Sequence, residues 1–188
     1  MEHHHHGHGF DYDRMAEMRE KMIDIKSVLE FMNIKKEEKI ADVGSGDGYY
    51  SLIMAPLCSK VYSIDISKDG IERENAKIVA NKITNVETMQ EDMCKLERIP
   101  DVNRVFFSNS FHDFPCMNEI IQKFAGKSKP VFTLIEFKKD SVIGPPSEIK
   151  LSPEQLDSIF SKINYMRNNI RIFDHNYIAT YSFNKSRN

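Results

Sequence analysis

The chain has 188 residues, 40% apolar and 29% charged, the proportions of one folded globular domain rather than of a disordered, collagen-like or membrane chain. Its 26 basic side chains against 28 acidic ones leave a formal charge of −2, so no overall positive field exists to hold phosphate backbones, and nucleic acid is disfavoured as a partner. Cys58, Cys94 and Cys116 are odd in number and contain no CxxC pair, which speaks against a disulfide framework or a structural zinc site and for a reducing, cytoplasmic setting.

The N-terminus lacks the charged-then-apolar layout of a signal peptide, and no apolar run reaches the roughly 18 residues of a membrane span. Residues 1–12 read as a flexible His-rich tail. The run from His3 to His6 with His8 has the ligand type for chelating a divalent metal, but a purification tag or disordered native tail is the better reading, and no metal is assigned. Residues 13–188 read as a single domain. Within it, Met15, Met18, Met22, Ile25, Leu29 and Met32 fall at 3-4-3-4-3 spacing, predicting a helical extension over 13–36 that packs on the body and suits a lid. The core then spans 38–184.

Strand and helix patterns alternate from there. Lys39 to Val43 and Lys60 to Ile64 read as strands, with helices over Tyr50 to Cys58 and Asp69 to Lys82. Val86 to Met89, Val102 to Phe107 and Pro130 to Phe137 are further strands, and Met117 to Phe124 is helical. Such alternation predicts an α/β fold, a parallel sheet covered by helices on both faces. Gly144-Pro145-Pro146 must be a loop, since proline supplies no amide donor. Ser152, Pro153 and Gln155 stand where a helix start and its capping box want them. Tyr165 to Phe173 and Tyr177 to Phe183 form a hairpin about Asp174-His175-Asn176.

Chemistry concentrates in Asp42-Val43-Gly44-Ser45-Gly46-Asp47-Gly48, a strand running into a glycine-rich turn that opens a helix. Glycines let the backbone turn tightly and let a ligand approach main-chain atoms. Asp65, at the end of the next strand, is suited to accept hydrogen bonds from both hydroxyls of a ribose. The spacing GxGxG differs from the dinucleotide fingerprint GxGxxG, and Asp42 and Asp47 would repel a pyrophosphate while favouring a cationic ligand. The combination points to S-adenosyl-L-methionine rather than NAD.

These residues resemble the class I S-adenosylmethionine-dependent methyltransferases, through the glycine turn, Asp65, and Glu91-Asp92-Met93 after the third strand. The resemblance implies a Rossmann-like fold whose seven-stranded, mostly parallel sheet ends in an antiparallel hairpin. It implies that the glycine turn supports the methionine moiety, that Asp65 binds the ribose and that Asp92 lies by the adenine amino group. Cofactor contacts are thereby expected at Asp42, Gly44, Ser45, Gly46, Asp65, Ile66, Asp92, Met93 and Asn109. Phe132 to Leu151 and His8-Gly9-Phe10-Asp11 are similar to a prokaryotic branch of uncharacterised methyltransferase-domain proteins, which often carries Arg where this chain has Lys150.

Ligands in open α/β sheets sit outside the C-terminal strand ends, so Ser108 to Asp113 should line the mouth from which a methyl group emerges. His112 has the ordinary pKa for base work near neutrality and Asp113 stands beside it; alternatively His112 packs and caps, and alignment supplies the rate. The expected function is methyl transfer to a small-molecule acceptor by a cytoplasmic monomer or homodimer that does not engage a membrane. A non-catalytic S-adenosylmethionine- or nucleotide-binding module and an NAD-type oxidoreductase are the alternatives.

Overall fold

A computed structural model describes residues 12, 14–15 and 22–185. The histidine-rich start, the His8-Gly9-Phe10-Asp11 segment and Met18 lie outside the described residues. Seven strands form one sheet in the order β3-β2-β1-β4-β5-β7-β6. They are β1 (Lys39–Val43), β2 (Lys60–Asp65), β3 (Val86–Gln90), β4 (Arg104–Ser108), β5 (Val131–Phe137), β6 (Tyr165–Ile172) and β7 (Asn176–Phe183). The first five run parallel, and β7 inserts antiparallel between β5 and β6. This is the α/β architecture expected from the alternation and the closing hairpin.

The central strands read as continuous apolar runs because both of their faces are covered. Val105, Phe106 and Phe107 of β4 are all fully buried, as are Leu134 and Ile135 of β5. Burial divides into two cores, one on each face. One contains Phe107, Phe111, Phe132, Phe160 and Tyr181, with the Phe160 and Tyr181 rings stacked at 4.2 Å. The other gathers Met22, Val28, Met32, Ile40, Met54, Phe106 and Ile178.

The helices are α1 (Ile25–Met32), α2 (Tyr49–Met54), α3 (Lys68–Ala80), α4 (Met117–Ser128) and α5 (Pro153–Ser161). The Asp24 carboxylate accepts the Lys26 and Ser27 amides and so starts α1. The helix buries Val28 and Met32 against the second core, whereas the sequence pattern put Leu29 in the stripe; Leu29 is only half-buried. The capping box at Ser152 and Gln155 forms as predicted. The first core-opening helix is shorter than the reading of Tyr50 to Cys58. It ends at Met54 and tightens into a 3-10 turn over Ala55–Leu57, where Pro56 has no amide to continue the α ladder.

Two expectations need correction. Cys94 and Cys116 are joined as a disulfide, their Cα atoms 5.6 Å apart, and only Cys58 is free. The odd cysteine count therefore hid a pair, and it gives no argument for a reducing compartment. Tyr12, read as the end of a flexible tail, is 4% exposed, and its hydroxyl donates to Ser67 Oγ at 2.8 Å. Among the described residues no helix is long and apolar enough to cross a membrane.

Candidate active site

β1 and β4 are neighbours although β2 follows β1 in the chain, so the chain reverses direction across the sheet between them. That switch point leaves a crevice at the C-terminal strand ends. A cavity of about 710 Å³ occupies it, walled by the loops after β1, β2, β3 and β4 and reached by Tyr12 and Met15.

The glycine turn forms its first wall. Gly44, Gly46 and Gly48 all take left-handed φ values, +74°, +61° and +77°, a sequence of turns that side chains with a Cβ would strain. The Gly44 and Ser45 amides donate to the Ile64 carbonyl at 2.8 and 3.2 Å. Asp65 then fastens the turn from the next strand. Its Oδ2 accepts the Gly46 amide and its Oδ1 the Ser67 amide, both at 2.7 Å, and each oxygen retains capacity for a further donor. Gly70 permits α3 to approach: a Cβ there would stand 2.5 Å from the Gly46 carbonyl oxygen and 2.6 Å from the Tyr12 hydroxyl.

Behind this wall lies a buried acidic layer. Asp42 lines the cavity, is 1% exposed, and accepts Ser51 Oγ at 2.7 Å. Asp47, expected to face a cationic ligand, instead accepts Lys77 Nζ at 2.7 Å and does not line the cavity. The sequence reading missed Glu74. This residue of α3 is fully buried against Gly48 and accepts Ser63 Oγ at 2.6 Å through Oε2, while Oε1 has no hydrogen-bond partner among the described residues. Burial, reinforced by Asp42 and Asp47 and opposed by the Ser63 hydrogen bond, pushes its carboxyl up to about 7.

The opposite side holds Ile66, 67% exposed at the cavity, together with Asp92 and Met93. Asp92 accepts the Cys94 amide at 3.0 Å and pairs with Lys95 at 3.0 Å; the Lys95 interaction, then the amide, holds its carboxyl below the usual range. Cys94 lines the cavity too.

The loop after β4 is fixed at three points. The Asn109 amide donates to Ile135, the Asn109 side-chain oxygen accepts Asn176 Nδ2 at 2.8 Å, and Ser110 Oγ donates to the Val43 carbonyl at 2.8 Å. Asn109 and Asp113 line the cavity, whereas His112 does not. The imidazole of His112 points inward, 3% exposed, with Nδ1 2.6 Å from Glu136 Oε2 and Nε2 3.5 Å from Asp113 Oδ1. Burial alone would lower its pKa, but the hydrogen bond and charge of Glu136, with Asp113 adding, hold it above the ordinary value. Burial in turn raises Glu136, which His112 opposes. Lys150 is buried in the loop after β5 and donates to the Ser141 carbonyl at 2.6 Å.

Every residue expected to contact a cofactor therefore lines one cavity: Asp42, Gly44, Ser45, Gly46, Asp65, Ile66, Asp92, Met93 and Asn109. The sequence pattern described as "Methyltransferase domain" matches residues 34–161. The chain belongs to the methyltransferase-domain family. It carries the fold of the S-adenosylmethionine-dependent methyltransferases. Among solved structures, a SAM-dependent methyltransferase from Aquifex aeolicus is 20% identical, with a TM-score of 0.79 over 94% of this chain and 100% of that one. The magnesium protoporphyrin IX methyltransferase of Synechocystis, solved with bound SAM, is 16% identical, with a TM-score of 0.65 over 85% and 77% of the two chains. At these identities the likeness is one of fold. Of curated proteins, the 23S rRNA (uracil(1939)-C(5))-methyltransferase RlmD from Legionella pneumophila is 28% identical over 100 residues, 53% of this chain. The chain spans about a fifth of that relative's length, 22%.

Proposed function

We propose that this methyltransferase holds its donor across the switch-point cavity and acts on a small molecule bearing an O–H, N–H or S–H group, in the cytoplasm. The observation that carries the reading is convergence. Asp65 at the ribose position, Asp92 at the adenine position and the buried Ser45 hydroxyl, which has no hydrogen-bond partner among the described residues, all border one cavity. The donor supplies an electrophilic methyl group on a sulfonium sulfur.

In this reading Asp65 accepts the ribose hydroxyls through lone pairs that the Gly46 and Ser67 amides leave open. Ile66 and Met93 offer apolar contact to the adenine ring, and Asp92 accepts from its amino group. Gly44, Ser45 and Gly46 support the methionine part, with the Asp42 carboxylate supplying negative charge toward its ammonium. Asn109 stands at the methyl side. The group presented to the acceptor is Asp113, with His112 and Glu136 behind it as positioning residues. As the acceptor atom takes the methyl group, its proton passes to the Asp113 carboxylate. Alignment in a fixed cavity contributes most of the rate.

Tyr12 and Met15 border the cavity, which suits the lid role expected of the N-terminal extension and a small acceptor. The RlmD relative gives RNA as the second reading, opposed by the chain's charge of −2. Incubation with methyl-labelled donor and, in parallel, a panel of phenols, amines and thiols or a 23S rRNA transcript decides between them. Label is expected in members of the small-molecule panel, with kcat/KM about 10²-fold lower for Asp113→Asn, the scale of a lost proton acceptor. Label in the transcript alone would contradict the small-molecule assignment.

A further inference from the structure

We infer that Cys94 and Cys116 form a reversible dithiol–disulfide couple in the cavity wall whose state sets the affinity for the donor. The inference rests on the donor-binding reading above. Cys94 is joined to the adenine side of the cavity: its amide donates to Asp92 Oδ1 at 3.0 Å, and its neighbour Met93 is buried beside it. Cys116 follows Pro115, a lining residue of the acceptor side, and caps the start of α4. The bond thus clips the loop after β3 to the wall that carries Asp113 and Pro115, across 22 residues of sequence.

Three features make this pair suited to exchange. Both cysteines are half-buried, so a small thiol has access, whereas Cys58 is 1% exposed and burial raises its thiol pKa. Lysines border the seam, Lys95 next in sequence and Lys123, whose Nζ donates to the Cys94 carbonyl at 3.4 Å. The seam also has a second fastening. Lys123 Nζ donates to the Leu96 carbonyl at 2.9 Å as well as to that of Cys94, and Lys127 Nζ to Ile99 at 2.6 Å, so opening the disulfide leaves 94–99 docked on α4 and loosens chiefly the turn at Asp92.

Chemically, the two thiols give up two protons and two electrons to an oxidised low-molecular-weight disulfide, which leaves as two thiols through a mixed-disulfide intermediate. A reduced dithiol reverses the reaction. In the oxidised state Asp92 is held for the donor before binding, and affinity rises because less ordering remains to be done.

Calorimetric titration of S-adenosylmethionine into the full chain tests this, once after equilibration with glutathione disulfide and once with a reducing phosphine, with thiols counted in denaturant each time. Three thiols are expected when reduced and one when oxidised, with about tenfold tighter binding in the oxidised state, an ordinary coupling strength. The Cys94→Ser/Cys116→Ser variant should bind as the reduced chain does and ignore the oxidant; single Cys94→Ala and Cys116→Ala variants, checked for folding by circular dichroism, should do the same. Equal affinity in the two states, or a thiol count that stays at three under oxidant, overturns the couple while leaving the donor site intact. Absence of binding in both states would instead overturn the donor-site reading on which it rests.

Discussion

Replacing Asp65 with Ala is expected to weaken S-adenosylmethionine binding by about 1 to 3 kcal/mol, a loss of about 5- to 150-fold in affinity. Two effects act together. The carboxylate is the proposed acceptor for the ribose hydroxyls, and hydrogen bonds to a charged acceptor are stronger than neutral ones. It is also the clasp between the glycine turn and the start of α3, through the Gly46 and Ser67 amides. Asp65→Asn keeps a carbonyl oxygen for one of those amides and should fall between wild type and Asp65→Ala. Calorimetry measures all three, and an affinity indifferent to both substitutions removes Asp65 from the site.

Glu74→Gln is expected to flatten the pH dependence of stability. The folded-state pKa near 7 lies above the ordinary glutamate value of 4.5, so between these limits the folded chain keeps a proton that the unfolded chain has released. The contribution of this group is therefore complete below pH 4.5 and declines as pH rises toward 7. A displacement of this size corresponds to about 3 kcal/mol. Glutamine preserves an acceptor for the Ser63 hydroxyl and does not titrate. Denaturant unfolding at pH 5 and pH 8 should show the variant gaining on wild type by up to about 3 kcal/mol at the higher pH. Parallel pH curves for the two proteins would mean that Glu74 keeps its charge when buried.

Glu74 also marks where reading the sequence stops. Strands β1, β2, β4 and β5 are legible because apolar runs of that length bounded by turns have few other homes, and their ends fall within about two residues of expectation. The glycine turn and Asp65 are legible for the same local reason, since each follows directly from a strand end, whereas Asp92 is singled out only by the family resemblance. Glu74 is different: it sits in the middle of a helix among charged residues, and it is buried by the approach of Gly48 from a distant turn and by Ser63 of β2. Asp47 is likewise captured by Lys77, thirty positions away, through the packing of α3.

Cys94 and Cys116 meet because β4 brings the loop after β3 against α4, which no spacing rule encodes. For His112, residue type located the right loop but carried no information on direction. Its ring turns inward because Glu136, at the end of β5, offers the buried partner, and Asp113 is the side chain left facing the cavity. Periodicity fixes orientation in helices and strands; in a loop it does not.

The most direct test of the account is a crystal structure of the chain grown with S-adenosylmethionine, with NAD supplied to a second batch. The account predicts the ribose on Asp65, the adenine between Ile66 and Met93, and the methyl group directed toward Asn109 and Asp113. A vacant cavity in the first batch, or a dinucleotide with its pyrophosphate on the glycine turn in the second, would contradict it.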